Sequence, residues 1–520
     1  MKKYGHWIIL TIAFILLTAF LFILVSPVIT PPKWDEFIVL YDSHRLLEGQ
    51  VPYRDFFNII PPGAFYFYAL VFKLTGSSSL TAGRYANLVV IVLTTLLIFL
   101  ALRIRKWPFY LCLGWSFVPA VALYPFWAIP SHHWLATIFF IGLLALISRE
   151  SRDNFWTWFA AGVLSAVTGL VLQSEGLLAV VFSLIVISLH GGKKKTPIIA
   201  WLSGLITATG PQFIYLMSTN SLIPFIDNTV FWPAMNYSRQ GNENSLFPLD
   251  DLPGRISDIW KFFGGSGPLP SNLIFVSGML LYFCTALLIL IFLLLAVRTL
   301  MVSLKDHRMR NPFAVAATAV TILAIGLGLK GSFNWIHLVF ITVPILVIWL
   351  ISLGPWSEWN RWCRLSSVTL LIILLFSGLV YHLRGIASHT PESWELKDAD
   401  RPVREAPLNK FLRSPGIMPP GSTAAVFPEG GEVYLYGTKP AVGYTYFTPL
   451  SEKYSTLDDH AKVAQQIVHR KAEWIVLPVA LEGDYLDPLS PVAGVIRTYF
   501  KRQKIIGDAV LYRRKRSSAR

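Results

Sequence analysis

Charge is scarce in this chain. Only 14% of its 520 residues are Asp, Glu, Lys or Arg, where a soluble protein carries about a quarter. The few charges are also bunched: 18 uncharged residues lie between Arg84 and Arg103, 42 between Lys106 and Arg149, and 31 between Lys195 and Asp227. A helix needs roughly 20 apolar residues to cross the hydrocarbon core of a bilayer. Runs of this length exclude a soluble globular protein. With 54% hydrophobic residues and a mean hydropathy of +0.53, they predict an α-helical polytopic membrane protein.

Cysteine is scarcer still. Cys112, Cys284 and Cys363 sit in or beside apolar runs, which excludes a disulfide framework and a cysteine-based metal site. Walker, GxSxG, HExxH and CxxC patterns are missing too. Their absence argues against a nucleotide-driven pump and against serine or zinc hydrolases. No internal repeat of about 20–50 residues is visible, which weakens a transporter built from repeated halves.

The apolar runs are plentiful. Taken as helices they give eleven spans, near 7–25, 83–102, 107–127, 134–148, 155–172, 177–190, 196–217, 272–297, 313–329, 335–353 and 365–382. Alternate loops then collect 16 Lys and Arg on one side, against nine in the much longer loops of the other side up to residue 382. The basic side faces the cytoplasm. The N-terminus is therefore inside, and everything after residue 383 is outside. The net charge of +15 follows this pattern rather than that of a nucleic-acid binder. Lys2-Lys3 before an apolar stretch would suit a signal peptide, but the stretch is too long and lacks a small-residue cleavage site. An uncleaved first span is expected.

Two domains follow: a transmembrane domain at 1–384, with outer loops 26–82 and 218–271, and a small exported α/β domain at 385–520. In the first loop, Phe37, Leu40, Tyr41, His44 and Leu47 fall at helical spacing, with Gly49 as C-cap and "QVPYRDF" as an extended exit. "PPGAFYFYALVFKLTG" predicts a second short helix. Both are too short to span, so interfacial helices are expected. In the tail, "TAAVFPEGGEVYLYG" and "AEWIVLP" predict strands, "LDDHAKVAQQIVHR" a surface helix and "IIGDAVLYRR" a last strand. The final "RRKRSSAR" is a basic tail suited to anionic lipid headgroups.

With this topology, six segments bring polar groups to the outer side: Asp35/Glu36, Arg54/Asp55, Arg84, His132/His133, Glu175, and Lys330/Asn334/His337. Charges near membrane depth are costly and tend to face cavities with a function. Each also has a plainer reading. Neighbouring Asp35 and Glu36 stand about 100° apart on a helix, so one of them orients a loop or pairs with a base. Arg54 and Asp55 pair with one another, Glu175 is a turn acid, and the histidines anchor at the interface.

The "DE" that follows the first span, together with "LLEGQVPYRDFF" and "PPGAFYFYAL", resembles the polyprenyl-phosphate-sugar-dependent glycosyltransferases of GT-C type. That family includes protein O-mannosyltransferases and the lipid A aminoarabinose transferase. "KGSFNWIHLVFITVPIL" and "FPEGGEVYLYGTKPAVGYTYFTP" extend the likeness. The resemblance implies a GT-C-like fold in which a polyprenyl-phosphate sugar donor enters from the membrane and the acceptor is a lipid, glycan or protein. It makes Asp35 the general base and Glu36 its orienting neighbour. Arg54, Arg84 and Lys330 become candidates to hold the phosphate. Glu175 and His337 line the pocket, with Asp55, His133 and Asn334 as further substrate-binding candidates. The sequence departs from the family in "PSHHW", where a carboxylate is usual, and in Lys330 and Asn334, where an Arg and an Asp are usual.

The chemistry is consistent with these roles. A carboxylate within reach of a hydroxyl removes its proton as it attacks an anomeric carbon. A departing phosphate needs cations and no acid, and a single displacement inverts the anomeric centre. A divalent metal at Asp35 and Glu36 stays open. Two rivals differ in what they require. A lipid or sugar transporter needs charges near mid-span, and an envelope scaffold would depend on residues 390–520 and not on Asp35.

Overall fold

The computed structural model describes residues 2–21, 34–148, 154–190, 195–236, 270–306, 311–330, 335–387, 400–412, 414, 417, 422–427, 430–435, 438–444 and 457–515. Its chain divides into two compact units. One comprises Met1–Thr30, Tyr85–Ile214 and Gln240–Glu395; the other comprises Pro31–Arg84, Tyr215–Arg239 and Leu396–Arg520.

The first unit is helical. Its helices are α1 (Lys2–Phe20), most of α4 (Leu80–Ile104), α5 (Phe109–Val118), α6 (His132–Ile147), α7 (Phe155–Val171), α8 (Gln173–His190), most of α9 (Thr196–Ser218), α10 (Pro270–Asp306), α11 (Pro312–Lys330), α12 (Trp335–Ser352) and α13 (Arg361–Ala387). Each coincides with an expected span. Among the described residues, five apolar stretches are long enough to cross a membrane: Leu80–Ile104, Phe109–Trp127, Thr196–Ser218, Val276–Val302 and Arg361–Tyr381. In the other apolar helices the described apolar stretch is 10–17 residues long. The second of the five continues past Val118 through a wide turn, Pro119–Leu123, because Pro119 has no N–H to extend the α-helical ladder.

Without water to drive apolar surfaces together, helices in a bilayer pack through small residues and buried hydroxyls. The first unit uses both. A Cβ on Gly162 of α7 would lie 2.0 Å from the Trp201 carbonyl oxygen, and one on Gly204 of α9 would lie 2.0 Å from that of Phe159. The Ser165 and Ser183 hydroxyls meet at 3.2 Å, and the Trp201 indole donates to Ser165 at 3.4 Å.

The second unit contains α2 (Trp34–Leu47), α3 (Gly63–Thr75), the first turn of α4, the stretch Leu222–Asn236 and a five-stranded sheet. The strands are β1 (Thr423–Val426), β2 (Lys439–Pro440), β3 (Trp474–Pro478), β4 (Phe500–Ile506) and β5 (Ala509–Arg514), in the order β2-β1-β3-β5-β4. β1 runs parallel to β2 and β3, whereas β5 runs antiparallel to β3 and β4. Helices α14 (Leu457–His469) and α15 (Pro491–Tyr499) place Val463, Ile467, Val492 and Ile496 on Ile475, Leu477 and Val510.

Three local expectations are corrected. "IIGDAVLYRR" is a hairpin rather than one strand: Ile505-Ile506 end β4, and Gly507, at φ +59°, turns the chain into β5. "GEVY" is a helical turn, Gly431–Tyr434, which swings the Tyr434 hydroxyl back to accept from the Val426 amide and donate to the Ala424 carbonyl. "QVPYRDF" is not extended. Tyr53 adopts φ +67°, the Asp55 amide donates to the Val51 carbonyl, and Pro52 bridges to Phe56.

Candidate functional site

Helix α2 ends as the sequence predicts. Gly49, at φ +81°, donates to the Leu46 carbonyl and Gln50 to that of Arg45, the bonding of a Schellman cap. Its burial differs from the expected amphipathic pattern. Phe37, Leu40 and Tyr41 are buried as expected, but so are Glu36, Asp42, Ser43 and Arg45. The helix is enclosed on more than one face, and each enclosed charge has an assigned partner.

Glu36 meets Arg84 in the first turns of α4. The Arg84 Nε donates to Oε2 at 2.7 Å and Nη2 to Oε1 at 2.6 Å, with both side chains fully buried. A two-pronged carboxylate–guanidinium bond of this kind is strong and directional. One turn further along α2, Leu40 lies against Gly83, where an added Cβ would come within 2.5 Å of the Leu40 Cδ2. The pair and this close contact fix α2 against the first turn of α4.

The second half of α2 holds the loop that follows it. The Arg45 guanidinium donates to Gln50 Oε1 at 2.8 Å and to the Asp55 carbonyl at 3.3 Å, and lies 4.1 Å from the Phe56 ring centre. Asp42 is 3.7 Å from it and accepts from Asn58 Nδ2 at 2.6 Å. Asn58 in turn accepts from the Ile60 amide at 2.8 Å. Asp55 accepts from the Val51 amide at 2.7 Å and takes two bonds of 2.9 Å from Arg54. The Arg54 bond and the Val51 amide hold the Asp55 carboxyl below its usual range against the opposing cost of burial. Sequence reasoning missed Asp42, Arg45 and Asn58. Their signal was an acid and a base three residues apart on α2, a spacing that makes them neighbours on a helix surface.

The C-terminal segment of the same unit grips this loop. The Phe57 amide donates to the Gly443 carbonyl at 2.9 Å, and the Phe57 ring packs against Tyr444 and Trp232. Tyr41 packs on Tyr434, and Gly431 sits so close to Phe37 that a Cβ would be 2.6 Å from the Phe37 Cβ. Burial pushes the Tyr444 phenol up to about 12 and raises those of Tyr41, Tyr53 and Tyr434 further, so all four stay protonated at neutral pH.

In the first unit, Glu175 lies in the first turn of α8 and is buried, where a turn acid at a hairpin tip would be exposed. Gly169 and Gly176 explain this, because a Cβ on Gly176 would lie 2.2 Å from the Gly169 Cα; α7 and α8 thus close tightly and turn Glu175 inward. The Thr137 hydroxyl of α6 is 3.4 Å from both carboxyl oxygens. His133, one turn before Thr137, stacks on Phe340 of α12 at 4.2 Å and meets the His132 ring at a tilt of 35° and 4.2 Å. The structure thus brings together Glu36 with Arg84, and Arg54 with Asp55. Asn334 lies outside the described residues, as do the side chains of Asp35, Lys330 and His337. Among the described residues no three His, Cys, Asp or Glu side chains gather as a metal-ligand set.

No protein-family model matches the chain, and no curated protein matches it in sequence. Solved structures do match. ArnT from Cupriavidus metallidurans bound to undecaprenyl phosphate superposes with a TM-score of 0.54 at 13% identity, covering 99% of this chain and 99% of that one. The same protein in its apo state gives 0.53 at 13% identity, covering 98% of each chain. An Archaeoglobus fulgidus oligosaccharyltransferase tethered with an acceptor peptide gives 0.50 at 11% identity, covering 99% of this chain and 74% of that one. ArnT, a lipid A aminoarabinose transferase, and the oligosaccharyltransferase are GT-C glycosyltransferases. The fold of this chain is theirs, as the sequence resemblance implied.

Proposed function

We propose that this chain is a multi-pass membrane glycosyltransferase that moves a sugar from a polyprenyl-phosphate carrier to an acceptor on the outer side of the plasma membrane. The observation that carries the reading is the buried Glu36–Arg84 pair. It commits the second acid of "DE" to structure and fixes the start of α2. Asp35 stands about 100° round the helix from Glu36. The two acids therefore have separate tasks.

In this reading Asp35 accepts the proton of the acceptor hydroxyl as its oxygen attacks the anomeric carbon, which calls for a carboxylate within hydrogen-bond reach. The carbon–oxygen bond to the carrier phosphate breaks, and the phosphate leaves as an anion. A single displacement inverts the anomeric centre. Arg54, Arg84 and Lys330 supply positive charge to the phosphate. Arg84 would do so with Nε and Nη2 already bonded to Glu36. Glu175, His133, Asn334 and His337 are proposed to line the substrate pocket, with Asp55 holding Arg54. The undecaprenyl phosphate in the ArnT structure and the acceptor peptide on the oligosaccharyltransferase support a lipid-phosphate donor and a separate acceptor.

The proposal extends to eleven spans, a cytoplasmic N-terminus, a membrane domain to residue 384 and an exported domain at 385–520. The test is transfer by purified protein from a polyprenyl-phosphate sugar. Asp35→Asn should lower the rate by about 10²–10⁴-fold, the contribution of a positioned base. Transfer at the wild-type rate would sink the mechanism.

A further inference from the structure

We infer that Asp400, far from the first loop in sequence, is a positioning residue for the Glu36–Arg84 pair. This inference rests on the proposed glycosyl transfer only for its functional consequence; its structural content stands without it.

A helix begins with four backbone amides that have no partner within the helix. In α4 the three that follow the N-cap residue Ser79 all have partners. The Leu80 amide donates to Asp400 Oδ1 at 2.7 Å, and the Thr81 amide to Asp400 Oδ2 at 3.1 Å. The Ala82 amide donates to the Ser79 hydroxyl at 3.1 Å, and the Gly83 amide opens the regular helix ladder with its bond to the Ser79 carbonyl at 3.2 Å. Asp400 also accepts from the Thr81 hydroxyl at 2.7 Å. Ser79 is the local cap that such a helix start calls for. Asp400 is not local. It comes from 320 residues along the chain, is 2% exposed, and spends both carboxylate oxygens on the first two residues of α4.

The next residues of that helix are Gly83, which receives Leu40, and Arg84, which grips Glu36. A helix turn tied at its start by three bonds to a distant segment has little freedom to slide or rotate. A bidentate guanidinium–carboxylate bond tolerates little of either. Asp400 therefore sets where Arg84 stands, Arg84 sets where Glu36 stands, and Glu36 sets the entry of α2. The carboxylate is also favourable at a helix N-terminus electrostatically, but that effect alone would need no anchor from so far along the chain.

The full-length protein in detergent, read by hydrogen–deuterium exchange with mass spectrometry, separates an anchor from a plain cap. Loss of a cap costs about 1 kcal/mol, or roughly fivefold in local opening. Asp400→Asn and Asp400→Ala should both speed exchange at 80–84, and also about fivefold through 34–47. Residues 491–499, which pack on the sheet and α14, serve as the unchanged reference. Ser79→Ala removes the local cap and should speed exchange at 80–84 alone. Faster exchange confined to 80–84 in the Asp400 variants would make Asp400 a cap and nothing more. Should Asp400→Ala fail to fold, Asp400→Asn decides the question alone. If exchange spreads to 34–47 while transfer keeps its wild-type kcat and KM, the positioning holds and the catalytic reading of the first loop fails.

Discussion

Glu36 and Arg84 lie 48 residues apart and form a two-pronged ion pair with no solvent exposure on either side chain. A pair in that setting is unforgiving: removing one partner strands the other's charge away from water. Glu36→Gln should therefore cost about 3–5 kcal/mol, seen as a large fall in the Tm of the purified protein. Replacing both, as Glu36→Gln with Arg84→Met, should recover much of the loss. A single variant that melts with wild type would show that the pair is not intact in the membrane protein.

Asp55 links stability to acid. Its carboxyl is held low in the folded protein, chiefly by Arg54, from an ordinary value of 3.8. A depressed folded-state value adds stability that is complete above the unfolded value and lost as pH falls through the folded one. The Tm difference between wild type and Asp55→Asn should stay constant from neutral pH down to about 5, then shrink below about 4. The size of that difference is modest, because the Arg54–Asp55 pair is partly exposed. A difference that grew on acidification would contradict the bonding described.

The three cysteines report on sidedness. Cys112 and Cys284 are buried and Cys363 is exposed, between Arg361 and Arg364 in the first turn of α13, the end of that helix proposed to face the cytoplasm. A membrane-impermeant maleimide should label Cys363 in opened cells and leave it unlabelled in intact ones. Labelling of Cys363 on intact cells would invert the topology and place the first loop inside.

Packing in the first unit makes a comparison possible along one helix. Gly204 and Gly210 both lie on α9, yet a Cβ on Gly204 would strike the Phe159 carbonyl at 2.0 Å and one on Gly210 would meet nothing within 4 Å. Gly204→Ala should destabilise by about 1–3 kcal/mol. Gly210→Ala should be neutral or slightly stabilising, since alanine favours helix. Equal effects on Tm would remove the close approach of α7 and α9.

Helix positions were legible because an apolar run is a property of consecutive residues: each expected span overlaps a helix, and five of the described stretches are long and apolar enough to cross a membrane. The Gly49 cap was legible for the same local reason. Partnerships were not. Nothing in "DE" says that Glu36 will face Arg84, and nothing near Asp400 says that it will cap Leu80. Two local readings failed because distant contacts overrode local preference. Tyr53 takes a left-handed backbone that glycine usually supplies, with its hydroxyl tied to the Ile60 carbonyl at 2.7 Å. Tyr434 leaves a strand-like sequence to return its hydroxyl to β1. Glu175 stood between a turn acid and a pocket acid, and its burial was not legible because it goes with the close approach of Gly169 and Gly176.

The second unit is gathered from three stretches of chain, Pro31–Arg84, Tyr215–Arg239 and Leu396–Arg520. A ribosome adds about 5–20 residues per second. The α4 start therefore emerges tens of seconds before the aspartate that closes it, 320 residues later. During that interval the earliest stretch has been made but its last partners do not yet exist. Biogenesis of this protein thus includes a waiting period, and any factor that shields the first loop has to act within it.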